Sequence, residues 1–157
     1  MTRVVLLAAV VLTLALAGCG SSGDSKSGDA KSAWAGPPKA DSAGKVPVVD
    51  FNQYLKGDGQ AFASSPIAAV TEFLGLDNSS AAETTMVATS PAEVQNYSEV
   101  IATLNGLLDD SVRAARYTVE LHRDQESPPV WSLRAADWAQ QCQPGRGHQS
   151  FTPEPCV

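Results

Sequence analysis

The sequence predicts an α+β domain in which short N-terminal helices pack on a curved antiparallel sheet of about four strands. Three observations carry that expectation. The stretch from Tyr97 to Gln141 reads as three consecutive strands, Tyr97 to Leu107, Ser111 to Arg123 and Val130 to Gln141, joined by short polar turns. Within it Ala115, Tyr117, Val119 and Leu121 alternate with Arg116, Thr118, Glu120 and His122, the period-two signature of a sheet with one wet face. Ahead of it Ile67, Val70, Phe73 and Leu74 recur at helical spacing and offer an apolar stripe against which the dry face can be buried.

Taken in order, the domain is expected to begin near Val46 and to occupy residues 46–157. Val46, Val48, Val49 and Phe51 form a short apolar run, and Asp50 is the expected cap of a brief helix carrying Tyr54 and Leu55 that Gly57 and Gly59 stop. The next helix is more sharply bounded. Ser65 supplies the N-cap, Pro66 the first helical position and Gly75 the C-terminal stop. Thr84 to Ala88 reads as a short strand, and Ser90-Pro91-Ala92-Glu93 as a capping box opening about one helical turn that Asn96 ends.

The first reversal of the meander admits two positions. Asn105-Gly106 is the stronger local turn signal, but it would leave an overlong strand from Leu107 to Arg123. A looser reversal around Leu108 to Ser111 is preferred, with Asn-Gly marking a bulge. The second reversal, Asp124 to Pro129, is polar and ends in two prolines that cannot donate to a ladder. In the third strand Trp131, Leu133 and Ala135 share a face, yet the next large apolar group, Trp138, falls one residue late. Either a bulge restores the phase, or Trp138 packs on the outer face beneath the C-terminal tail; the second option is preferred.

The N-terminus sets the expected compartment. One positive charge, Arg3, precedes an apolar run from Val4 to Gly18, too short for a stable membrane span and suited to the core of an export signal. It ends in Leu16-Ala17-Gly18-Cys19. This LAGC resembles the lipobox of bacterial lipoproteins, which implies that residues 1–18 are a signal peptide and that the Cys19 thiol receives the lipid. Two or three acyl chains make a durable anchor where one does not. Residues 19–45, rich in glycine, serine and proline, read as a flexible tether spanning roughly 25 to 30 Å. Trp34 is its one large apolar group and is expected to touch neither membrane nor domain.

The 157 residues carry 11 basic and 17 acidic side chains, a formal charge of -6. Loss of Arg3 with the signal leaves 10 against 17, or -7. That balance, with no polybasic run, disfavours direct attraction to nucleic acid or to anionic phospholipid, and no nucleic-acid partner is expected. With Cys19 committed to lipid, Cys142 and Cys156 are expected to pair in an oxidising space and to close a tail onto the last strand. Inside that clasp Arg146, His148 and Gln149 are the candidate binding residues, with Gly145 and Gly147 flanking the guanidinium. The alternative is a tight loop in which Arg146 pairs with an acid of the outer sheet face, His148 bonds to backbone and Phe151 plugs the sheet.

No catalytic or metal constellation is expected. A Cys142–His148 pair would lose its nucleophile to the disulfide, and His122 and His148 have no ligands at metal spacing. No cofactor is called for. Short helices, a strand and a long antiparallel meander over Ile67 to Gln141 resemble, by element order, the cystatin-like and nuclear-transport-factor-like cone fold. The lipobox, tether and closing WAQQCQPGRGHQSFTPEPC also resemble uncharacterised lipoproteins of high-GC Gram-positive bacteria. The expected function is a non-enzymatic module anchored on the outer face of the cytoplasmic membrane, binding an envelope protein, a glycan or a small ligand. The alternatives are a small hydrolase or isomerase with a cone-like pocket, for which Asp137, Glu120 and His122 are the available groups, and a structural or regulatory envelope protein.

Overall fold

In the computed structural model residues 34–125 and 129–157 are described. The export signal, Cys19 and most of the tether lie outside the described residues. Two helices, α1 (Val49–Lys56) and α2 (Pro66–Leu74), precede four strands, β1 (Glu83–Thr89), β2 (Tyr97–Asn105), β3 (Val112–Arg123) and β4 (Trp131–Cys142). The strands form one open antiparallel meander in the order β1-β2-β3-β4, so the α+β arrangement stands as expected.

Local chemistry accounts for α2. The Ser65 hydroxyl accepts from the Ala68 N–H at 3.1 Å, proline sits in the first turn, and Gly75 takes the left-handed conformation that ends the helix. Its buried face is Ala69, Val70 and Phe73, while Ile67, expected in the stripe, is 43% exposed. In α1, Asp50 lies inside the first turn and caps nothing; Phe51 and Leu55 bury the inner face. Ser90 to Asn96 form no helix. Two successive tight turns replace it, closed by Val94 N–H to Pro91 O and Tyr97 N–H to Val94 O.

The first reversal runs from Gly106 to Ser111, so it contains the preferred Leu108 to Ser111 and begins at the glycine of Asn105-Gly106. Gly106, at φ +64°, ends β2 instead of bulging within it. The Asp109 carboxylate then accepts from both N–H and hydroxyl of Ser111 and from the Val112 N–H, which holds its pKa below the usual carboxylate range.

The phase slip of β4 has a single origin. Glu120 stands opposite Ala135 and Leu121 opposite Leu133, which leaves Arg134 as an extra, bulged residue. Downstream of it Ala136 and Trp138 turn inward beside Leu133 and Trp131, and Trp138 faces Tyr117 across the strands. The preferred outer-face position for Trp138 is therefore corrected in favour of the bulge. The core these residues enclose includes Phe51, Val70, Phe73, Val100, Val119 and Leu121, all fully buried.

Folded structure begins earlier than Val46. Trp34 packs against Phe51, Tyr54 and Phe73 and donates its indole N–H to the Phe73 carbonyl at 2.8 Å, so the tether boundary at residue 45 and the idle Trp34 are both corrected. The segment that follows lines the outer edge of β4. The N–H of Val46 donates to Ala136 O and that of Trp138 to Gly44 O. Gly44 has no room for a side chain, since an added Cβ would lie 2.5 Å from the Trp138 carbonyl oxygen. Further along, the Asn52 side chain donates to Leu133 O and accepts from the Leu133 N–H, mimicking a strand with one amide.

Candidate functional site

The clasp begins where β4 ends. Cys142 is fully buried and joined to Cys156, with Cα atoms 5.5 Å apart. The tail between them doubles back along β4: Gln140 and Thr152 exchange two backbone hydrogen bonds, Cys142 N–H donates to His148 O, and Val157 N–H to Arg146 O. Gly147, at φ +134°, lies so close to the bridge that an added Cβ would be 2.9 Å from Cys142 Sγ. Closing a loop of this size stabilises the fold by about 3 kcal/mol on the chain-entropy account.

All three candidate binding side chains are in this loop; His148 and Gln149 are engaged within it and Arg146 reaches out of it. Arg146 meets Asp110 in the β2–β3 reversal at 3.3 Å, an acid of the loop instead of the expected outer sheet face. Both groups are open to solvent, so the pair is weak. Gln149 donates to the carbonyls of Gly147, Gln143 and Cys142 at 3.2 to 3.4 Å. His148 places Nδ1 2.9 Å from Ser150 O and Nε2 2.9 Å from Glu154 O. Carbonyl oxygens only accept, so both ring nitrogens must carry protons for both bonds to form. The Glu154 carbonyl foremost, then that of Ser150, raises the His148 pKa accordingly.

Phe151 covers the sheet from outside, with the Arg116 guanidinium 3.9 Å above its ring. The donor atoms of Cys142, His148 and Cys156 fall within 4.8 Å of one another, but the two sulfurs are bonded to each other and present no thiolate to a metal.

The groups a hydrolase or isomerase would need do not converge on the core side. Glu120 and His122 lie on the face of β3 opposite Val119 and Leu121, and Asp137 pairs with Lys45 on that same outer side of β4. His122 meets the Asn96 amide at 2.9 Å.

Sequence reasoning missed a different surface. The strap from Pro37 to Ala40 crosses the inner face of the sheet and leaves a hollow of about 280 Å³ lined by Pro37, Pro38, Lys39, Val46, Tyr117 and Trp138. On the other side of the strap a second hollow, about 370 Å³, is lined by Trp138, Gln140, Pro153 and Pro155. Burial raises the Tyr117 pKa, so its phenol stays neutral there at physiological pH. The signal available was the alternation itself, which put Tyr117 inward, and Pro37-Pro38 beside Trp34 in a stretch otherwise free of large apolar groups. No family model, curated protein or solved structure matches the chain.

Proposed function

We infer that the protein is a lipoprotein anchored through Cys19 on the outer face of the cytoplasmic membrane, and that its domain is a non-enzymatic binding module for a protein, a glycan or a small ligand. The carrying observation is the division of labour among the three cysteines. Two close a disulfide, the chemistry of an oxidising compartment, and the third stands in LAGC directly after an apolar run. The outward placement of Glu120, His122 and Asp137, on the face away from the buried core, favours binding over a hydrolase or isomerase.

We assign the binding surface to the seam around Trp138, where an indole and a neutral phenol stand between two pairs of prolines, with Lys39 lining both hollows and Asp41 the second. Flat aromatic and proline surfaces suit sugar rings and extended peptides. The clasp supports this seam by holding Pro153 and Pro155 beside Trp138.

Two measurements test the reading. Labelled fatty acid is expected to enter the native protein and to be absent from Cys19→Ala; equal labelling of both overturns the anchor. Titration with glycan oligomers and proline-rich peptides is expected to shift the Trp138 indole resonance and to weaken in Trp138→Ala, while Arg146→Ala leaves it unchanged. The reverse dependence would return the binding surface to Arg146, His148 and Gln149.

A further inference from the structure

The strand β1 is hydrogen-bonded on one side only, to β2, and among the described residues no strand or bridge pairs with its other side. Trp138 and Gln140 turn their peptide groups toward the far edge of the sheet. Carrying the alternation of an antiparallel ladder across the registered pairs then directs those of Thr84, Met86 and Ala88 to the near edge. Three N–H and three C=O groups stand there in a row. The strand, Glu-Thr-Thr-Met-Val-Ala-Thr, has no proline, no lysine and no bulge, the devices that usually blunt such an edge.

Apolar surface accompanies the open backbone. Val87 is 58% exposed on the outer face. On the helix side Met86 is half-buried, and the Thr71 hydroxyl reaches its sulfur at 3.6 Å. Ile67, 43% exposed, stands one turn before Thr71 on the same flank of α2. The monomer therefore leaves an unpaired ladder with partly exposed apolar groups on both sides.

We propose that β1 pairs with β1 of a second copy of this chain, antiparallel about a two-fold axis through Met86, joining the two sheets into one. The register follows from the edge itself. Centred on Met86, Thr84 lies opposite the partner copy's residue 88 and Met86 opposite its own counterpart, so every outward peptide group of the strand finds a complement. A centre at Thr84 or Ala88 leaves some of them unpaired, and the latter brings Pro91 toward the ladder. Charge agrees with this register. Glu83 is the one charged residue of the strand and falls opposite a threonine, so no like charges oppose each other. Thr85 falls opposite Val87 on the outer face, a pair of β-branched side chains, and the two thioethers meet at the axis on the helix side, where soft side chains adapt to a close approach. A single edge contact is small, so the dimer is weak and concentration-dependent.

The test uses the whole processed chain purified from the envelope, examined by sedimentation velocity over a wide concentration range and by amide exchange. The expected result is reversible dimerisation, with the amides of residues 84, 86 and 88 gaining protection as concentration rises while those of residues 83, 85 and 87 stay protected throughout by β2. The double variant Thr85→Lys, Val87→Lys sets two lysine pairs against each other across the axis and should weaken dimerisation by roughly tenfold. Thr85→Lys, Val87→Glu turns those pairs into complementary ones and should restore it. Both positions are on the solvent face, so the monomer fold is preserved. A chain that is monomeric at every concentration overturns the proposal, whether the edge stays bare or is protected at infinite dilution by residues 19–33. A dimer indifferent to the charge variants overturns it too, since the contact would then lie elsewhere.

Discussion

The two edges of the sheet meet water under opposite conditions. Along β4 each of Leu133, Ala136, Trp138, Gln140 and Cys142 has a partner for at least one outward peptide group, supplied in turn by the Asn52 amide, the strap at Gly44 to Val46, Thr152 and His148. Along β1 the outward peptide groups of Thr84, Met86 and Ala88 have none among the described residues. The difference teaches where the irregular parts of this chain act. Its N-terminal strap and its C-terminal tail, neither of which is helix or strand, both lie against β4, and the disulfide fixes the second of them there. One edge is closed by the chain's own ends and the other is left able to pair.

The largest test of that contrast removes the bridge. Cys142→Ala, Cys156→Ala is expected to lower unfolding stability by about 3 kcal/mol, from loop-closure entropy with a small added cavity at the fully buried Cys142. Denaturant midpoints give the loss. Amide exchange locates it: protection of Gln140 and Thr152 should fall first, with the β1–β2 ladder unaffected. If Gln140 keeps its protection in the double variant, the tail is held by its hydrogen bonds alone and the disulfide is not what closes the edge.

A second substitution opens the same edge from the other end. Asn52 satisfies both the N–H and the C=O of Leu133, a residue only 3% exposed, and Asn52→Ala leaves the two without partners. The expected cost is about 2 kcal/mol. Asn52→Asp is the sharper variant, because a carboxylate still accepts from the Leu133 N–H but cannot donate to its carbonyl. Its loss should fall between those of wild type and Asn52→Ala at neutral pH. Equal stability of all three would mean that water replaces the amide freely and that this stretch of β4 is less closed than its geometry implies.

How much of this was legible in the sequence divides along the same line. The meander, the α2 caps at Ser65 and Gly75 and the inward face of β3 follow from period and local turn chemistry, which a few neighbouring residues determine. The disulfide was legible because, with Cys19 read as the lipid site, two cysteines were left to pair. The pieces that close β4 were not. Trp34 reaches Phe73 and Asn52 reaches Leu133 through contacts 39 and 81 residues apart, and nothing local to either marks its partner. The Arg134 bulge was half-legible: the late Trp138 announced a slip, but only the packing of Trp138 opposite Tyr117 decides its direction. For the site, Arg146, His148 and Gln149 stood out because polar groups between glycines look available. In the fold His148 and Gln149 satisfy carbonyls of their own tight loop, and Arg146 reaches across to Asp110.

The smallest expected effect is reversible and acts through His148. Its ring bonds two carbonyl oxygens, an arrangement complete only for the imidazolium, and its pKa in the folded protein is raised above the ordinary 6.5. Between the unfolded and folded pKa values the folded state binds more protons, so stability falls as pH rises through that window. The contribution is fully present below about pH 6.5 and gone once the ring is neutral in the fold, when one nitrogen turns a lone pair toward a carbonyl. Glu154, whose carboxylate also favours the charged ring, is the acidic group facing it. Nuclear magnetic resonance of the ring should therefore give a titration midpoint above the free value, and the amide resonances of the Ser150 to Glu154 stretch should follow the same curve. In His148→Gln that pH dependence should vanish, while the amides of Thr84, Met86 and Ala88 are indifferent to pH in both proteins. A ring midpoint at or below the ordinary value would show that the two carbonyls hold a neutral imidazole, and that the last fastening of the β4 edge is independent of protons.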